Sequence, residues 1–319
     1  MNTATVAGAA SAGAKFLGAL VLTLKVLVYL ILMVAIGLFL MGIYRKFSAR
    51  VQYRVGPPIW QPYIDVIKLL SKKDAATKNW VFDLGAVMGF GGPLILLLFL
   101  PLDSIVGLNF HTKGDLILIL YLAVVGPLGF ALAASVGASP WGAIGVGRAL
   151  SMMLGYELPF ILGILAVVAK DGTIMLHKVA AAQSIWNPAG WHYFQWPLIL
   201  AAIGAHIGLQ GMLSEKPFEQ SVAPHEIGSG IMVEFGGRYL GMMLLMKAAS
   251  LMAELGLFAI FFLGATTPLD TIIKIFILYI IAISFDAVLG RFRPDQAFVV
   301  LWKWPTIIAL LGLLLTVFA

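Results

Sequence analysis

Apolar stretches without period-two alternation recur along the chain, near residues 18–43, 84–103, 115–136, 149–169, 196–213, 239–263, 271–289 and 301–318. A membrane-crossing helix needs about 20 such residues. In lipid the backbone must satisfy its own hydrogen bonds, so stretches of this kind predict helices and not a barrel. The expected fold is an all-α integral membrane protein of about eight transmembrane helices, one polytopic domain over residues 1–319. The polar gaps on one side fall at about 44–83, 137–148, 214–238 and 290–300. Within the first gap Trp60, Tyr63, Ile64, Ile67 and Leu70 recur at helical spacing, with Asp65, Lys68 and Lys72 on another face. About ten residues cannot span, so this segment predicts a short amphipathic helix at the membrane surface.

Charge sets the orientation. Arg45, Lys46, Arg50, Arg54, Lys68, Lys72, Lys73, Lys78, Arg148, Lys216, Arg238, Arg291, Arg293 and Lys303 occupy alternate gaps, and they are 14 of the 21 basic residues. The opposite gaps and the N-terminus carry only Lys15, Lys113, Lys170, Lys178 and Lys274. By the positive-inside rule the rich side is cytoplasmic, which places both termini outside the cell membrane. The net charge of +6 is then a topology signal that calls for lipid and not for nucleic acid. Residues 1–17 show no basic segment ahead of the first apolar stretch, which argues against a cleaved signal peptide. Composition agrees: 61% of residues are hydrophobic and 11% charged, against about one quarter charged in soluble domains. With no cysteine, the chain cannot supply thiolates to an iron–sulfur cluster, a zinc site or a disulfide. Its five histidines are scattered, so no metal or cofactor is expected in this chain.

A charge at the centre of a span costs about 2.5–3.5 kcal/mol on insertion scales, so each intramembrane charge needs a reason. Glu157, Lys247 and Glu254 fall inside spans, while His206 and Asp286 lie toward span ends. Lys247, Ser250 and Glu254 are three and then four residues apart, which puts them on one helix face. Two readings compete, a polar seam that packs against a neighbouring helix and a proton or ion relay. Pro159, two residues beyond Glu157, frees backbone carbonyls beside that carboxylate. Lys25 is placed to snorkel outward, and His206 reads as a packing histidine. The 214–238 gap adds Glu215, Glu219, Glu226 and Glu234, an acidic patch on the basic side.

The first gap holds the most specific text, Tyr44-Arg45-Lys46-Phe47-Ser48-Ala49-Arg50-Val51-Gln52-Tyr53-Arg54-Val55-Gly56-Pro57-Pro58, followed by Gln61-Pro62-Tyr63-Ile64-Asp65-Val66-Ile67-Lys68. Together with Arg148 to Glu157, Pro217 to Gly237, and Arg291-Phe292-Arg293-Pro294-Asp295-Gln296 with Trp302-Lys303, it resembles the H subunit of respiratory complex I. It is similar also to the equivalent subunit of membrane-bound [NiFe] hydrogenases and archaeal sulfur-reducing complexes. The resemblance runs along nearly the whole chain. It implies a non-catalytic subunit that anchors a peripheral redox arm, whose subunits carry the iron–sulfur and nickel–iron centres, and links it to antiporter-like membrane subunits.

Carried over by position, Arg45, Arg50, Gln52, Arg54, Gly56, Pro57, Gln61, Pro62, Asp65 and Lys68 match the docking loop, with Arg148, Arg291 and Arg293 as further docking candidates. Glu157, Glu219, Glu226 and Glu234 are the candidate ion-coupling path at matching positions, continued by the Lys247 and Glu254 face, with Asp286 a further candidate from its place in a span. There are departures. Ser221-Val222-Ala223-Pro224-His225-Glu226 stands where quinone-using members carry Pro-Glu-Ala-Glu-Ser-Glu, an upstream glutamate falls at Met212, and Glu219 replaces aspartate. These differences favour the hydrogenase-like branch. A quinone-site subunit is the first alternative, and a stand-alone secondary transporter the second. Against the transporter, the sequence shows no paired halves with matching broken helices.

Overall fold

The computed structural model describes residues 3–73, 79–100, 115–137, 139–183 and 187–318, with side chains of the first helix from Lys15 onward. Lys78 and Lys113, counted in the charge pattern, lie outside the described residues. Helix α1, Thr3–Val51, is 49 residues long, about 74 Å at 1.5 Å per residue and far longer than a bilayer core. Tyr44 through Val51, expected as loop, continue it because no Gly or Pro interrupts the backbone before Gly56-Pro57-Pro58. Its outer turns stand clear of the bundle, with Phe16, Leu17 and Leu24 exposed, whereas Tyr29 and Met33 are fully buried.

At Gly56 the chain reverses with φ +69°, where a Cβ would lie 2.6 Å from the Ala49 side chain, so the turn selects glycine. Helix α2, Gln61–Leu70, buries Pro62 and Val66, and Tyr63 donates to the Ala35 carbonyl at 2.6 Å. Its apolar stripe of Trp60, Ile64 and Ile67 is exposed, as expected of a helix lying at a lipid surface.

Helices α3, Trp80–Leu97, and α4, Asp115–Ser135, pack on one another through facing small residues. Gly85 and Gly89 meet Gly129 and Ala133 so closely that any Cβ on them would strike the opposite helix. Where lipid supplies no hydrophobic drive between helices, such approach supplies van der Waals contact. Helix α5, Pro140–Asp171, begins nine residues before the predicted 149, because Pro140 is preorganised for the first helical turn. Most of the expected 137–148 loop is therefore helix. Short helix α6, Leu176–Ala181, leads through 3₁₀ turns at Pro188–Gly190 and His192–Phe194 into α7, Leu198–Met212. The turn α8, Pro224–Ile227, precedes α9, Gly237–Leu263, α10, Pro268–Val288, and α11, Pro294–Phe318. The last helix takes in much of the expected 290–300 loop.

Among the described residues seven helices are long and apolar enough to cross a membrane. The predicted span at 196–213 is the shorter α7, whose 15 residues reach about 22 Å against a core of about 30 Å. Helix α9 is central. It touches α1, α2, α3, α7 and α10, and every residue from Leu251 to Leu263 is buried, as a stretch apolar at every position but Glu254 must be. One end of the bundle gathers the 52–60 turn, α2, the 213–236 loop and the 289–293 turn. The other gathers the end of α5, the 3₁₀ turns and the α9–α10 turn. At the first end, Phe82, Phe130 and Phe235 clasp α3, α4 and the 213–236 loop, with ring centroids 5.2 and 5.4 Å apart.

Candidate functional site

The loop between α7 and α9 is held inside the bundle end by charge. Arg291, just before α11, binds Glu219 at 2.7 Å and Glu226 at 3.5 Å. Arg148 on α5 takes the other oxygen of Glu226 at 2.7 Å. Backbone bonds add to this, since Phe292 N donates to Pro217 O at 3.1 Å and Gln220 donates to Phe292 O at 2.7 Å. Deeper in, Glu215 is buried and meets Lys247 of α9 at 3.4 Å. Asp286 at the end of α10 is 1% exposed. It accepts from Tyr44 Oη at 3.0 Å and from Lys216 N at 3.0 Å, with the Lys216 ammonium 3.7 Å away. Three helices and one loop thus converge on two buried carboxylates.

Burial pushes the Glu215 carboxyl above the usual carboxylate range, Lys247 pulls it back only in part, and the charges of Asp286 and Glu219 add to the rise. At Glu226 the hydrogen bond from Arg148 dominates, burial opposes it weakly, and the charges of Arg148 and Arg291 assist, so its carboxyl sits below the usual range. A carboxyl lowered on folding stabilises the fold above its ordinary value, and the contribution is lost as pH falls through the folded value. The protection factors of the 219–236 amides, exchange corrected for its intrinsic pH dependence, are accordingly expected to stay level from neutral pH to about pH 4 and to fall below it. The Glu226→Gln variant should show fast exchange throughout.

Lys247, Ser250 and Glu254 line one cavity of about 230 Å³, shared with Tyr156, Ser214 and Glu219. That volume holds several waters. Glu254, 6% exposed, also borders a void of about 20 Å³ beside Glu157 on the far side of Tyr156, room for a single water. The arrangement is a graded file of ionisable groups, from the arginine-clamped Glu226 and Glu219 through Glu215 and Lys247 to Glu254 and Glu157. Neighbouring groups in it differ in burial and pairing.

The other sequence candidates part company. Glu234 accepts from Ser139 N at 2.8 Å, at the N-terminus of α5, where a carboxylate favours the helix dipole; it does not line the cavity. Arg45, Gln61 and Lys68 are spent on Asp65, at 2.7, 3.0 and 3.9 Å; the Arg45 contact fastens α2 to α1, and the other two lie within α2. Burial raises the Asp65 carboxyl, but hydrogen bonds from Arg45 and Gln61 and the charges of Arg45 and Lys68 outweigh it and hold it low. Arg148 and Arg291, placed with the docking candidates, belong to the acidic file. Arg293 pairs with Asp295 at 3.4 Å on the open surface. Arg50, Gln52 and Arg54 are exposed beside Gly56 and Pro57, and the two arginines form no ion pair among the described residues. Sequence reasoning left out Tyr44, Lys216 and Glu215 as site members. Only the count of glutamates between α7 and α9 pointed at Glu215.

The geometry defines a multi-pass helical membrane protein with ionic groups gathered at one bundle end and reaching into its apolar interior. The chain belongs to the NADH dehydrogenase family, whose pattern matches residues 24–317. It is 30% identical over 294 residues to the H subunit of the NADH-quinone oxidoreductase of Geobacillus sp. (strain WCH70), covering 85% of this chain and 86% of that one. The H subunit of the same enzyme from Dehalococcoides mccartyi (strain ATCC BAA-2266 / KCTC 15142 / 195) is 28% identical over 307 residues, covering 89% and 82%. A chain in the structure of the membrane-bound sulfane sulfur reductase, an archaeal respiratory membrane complex, superposes with TM-score 0.86 at 37% identity, covering 92% of this chain and 99% of that one. The chain is thus a membrane subunit of the complex I-related class.

Proposed function

We propose that this chain is the docking and coupling subunit of a redox-driven ion pump of the sulfur-reductase or hydrogenase type, in the cell membrane with both termini outside. The single observation behind the coupling role is that the arginine-clamped Glu219, Lys247 and Glu254 line one cavity reaching from the bundle end into its interior. A peripheral redox arm, bearing iron–sulfur and nickel–iron centres, sits on the bundle end that holds Arg50 and Arg54. A redox event there changes the charge balance at Glu219 and Glu226. The change passes to Glu215 and Lys247 and drives a proton or sodium ion toward neighbouring antiporter-like subunits. The sulfur-reductase branch is favoured over the quinone enzymes by 37% identity against 27–30%.

The deciding experiment is Glu254→Gln, which keeps shape and hydrogen bonding and removes ionisation. Electron transfer by the detergent-solubilised complex should persist, while ion uptake by sealed vesicles should fall about tenfold or more. Uptake at the parent rate with normal electron transfer would leave Glu254 as a packing group.

A further inference from the structure

Helix α2 leaves an apolar stripe uncovered and ends it in charge. Trp60, just before its first turn, Ile64 and Ile67 are 64%, 50% and 69% exposed, and spacings of four and three residues place them on one side. Lys68 lies one turn beyond Ile64 on that side. Its side chain is 59% exposed, and its one ion pair among the described residues is a 3.9 Å contact to Asp65. Lys72 and Lys73 follow the Ser71 cap. Both are exposed and form no ion pair among the described residues. Three ammonium groups thus close one end of an exposed apolar face.

Contacts with α1 and α9 set the depth of this face. A Cβ on Gly42 would strike the Ile59 carbonyl oxygen, Tyr63 reaches the Ala35 carbonyl, and Arg45 holds Asp65. Leu69 and Leu70 pack over Gly241, in the first turns of α9. Helix α2 therefore lies across α1 at residues 35–45, where the first apolar stretch runs out near residue 43. That is the level at which hydrocarbon gives way to headgroups. Arg50 stands five residues beyond Arg45 on the same helix, about 7.5 Å farther from the membrane. The docking arginines and these lysines thus face different surroundings.

A bilayer of the right charge fits both parts of this surface. Tryptophan and isoleucine exposed at this depth enter the boundary between headgroups and acyl chains, and a cluster of lysines at the same depth attracts anionic headgroups. A zwitterionic headgroup carries its own cation, which cancels most of that attraction, so the charge calls for an anionic phospholipid. A protein partner fits less well. Protein interfaces are enriched in arginine and depleted of lysine, and α2 offers lysine where the turn above it offers Arg50 and Arg54.

We infer that α2 binds an anionic phospholipid at the basic end of the bundle, with Lys68, Lys72 and Lys73 around its phosphate and Trp60, Ile64 and Ile67 among the acyl chains. The lipid braces α2 against α1, and with it the 52–60 turn that joins them. This surface lies apart from the acidic file and stands without the coupling role.

The test places the whole complex in phosphatidylcholine vesicles with a trace of phosphatidylglycerol or, in parallel, of phosphatidylcholine, each carrying the same photoactivatable acyl chain. Cross-linked peptides are then quantified by mass spectrometry. Peptides from residues 59–73 should take up the anionic lipid about tenfold more than the zwitterionic one, since each lysine favours it about fivefold and salt screens part of that. The outer face of α3, where Leu84, Val87 and Ile95 are exposed, should take up both equally. Changing Lys68, Lys72 and Lys73 together to Gln should bring the α2 ratio close to one, and an unchanged ratio overturns the site. Equal labelling of α2 in the parent would leave only apolar contact with lipid, and labelling of α3 alone would mean that a protein subunit covers α2. Either result overturns the inference. So does inorganic phosphate that abolishes the preference where chloride of equal ionic strength does not, because the site would then take a soluble anion. Should the triple variant fail to assemble, the parent decides: its ratio must fall toward one as salt is raised, and a ratio indifferent to salt overturns the site.

Discussion

Replacing Lys247 by Met is expected to cost at most about 3 kcal/mol of stability, read as a lower unfolding midpoint of the purified chain in detergent. The substitution leaves Glu215 buried with its ion-pair partner gone, and breaking a buried pair from one side costs about 3–5 kcal/mol. The low end is an upper bound, because the Lys247 side chain is 37% exposed on a cavity that water can enter and because the buried carboxyl, already raised, can take up a proton in compensation. The double variant Lys247→Met, Glu215→Gln removes both charges and should recover more than half of the loss. Groups in contact are non-additive, whereas independent sites add to within about 0.5 kcal/mol. Simple addition of the two single effects would mean that the contact contributes nothing to the fold.

The second large effect is expected at Arg50 and Arg54, and it should appear in assembly and not in folding. Both are exposed beside Tyr53, which is wholly exposed, so Arg50→Ala and Arg54→Ala should change the stability of the isolated chain by no more than about 0.5 kcal/mol. Arginines of this kind, once buried by a partner, reach about 2 kcal/mol or more each. The double variant should therefore release the peripheral subunits during size-exclusion chromatography. Arg45→Ala is the contrasting control. It strips the shortest ion pair from Asp65, so it should loosen α2 from α1 and lower the unfolding midpoint. An intact complex with the Arg50 and Arg54 double variant would reduce this loop to a determinant of topology.

These contrasts mark where pattern along the chain stops being informative. The apolar stretches determined an all-helical membrane fold and nearly every span, because burial in lipid depends on composition and length, which are local. The spacing of Lys247, Ser250 and Glu254 determined a shared face, because helical geometry is local too. Helix boundaries shifted at Tyr44–Val51 and Pro140, where helical hydrogen bonding continues past the point at which hydropathy falls. Only tertiary structure decided that Arg45 is committed to Asp65 while Arg50 makes no ion pair among the described residues, since both read alike as basic residues in one loop. It alone decided that Arg148 and Arg291 clamp the acidic loop, and that Glu215 and Asp286 are buried although Glu215 lies in a polar stretch. An ion pair is set by which elements pack together, and packing of this kind leaves no periodic trace along the chain.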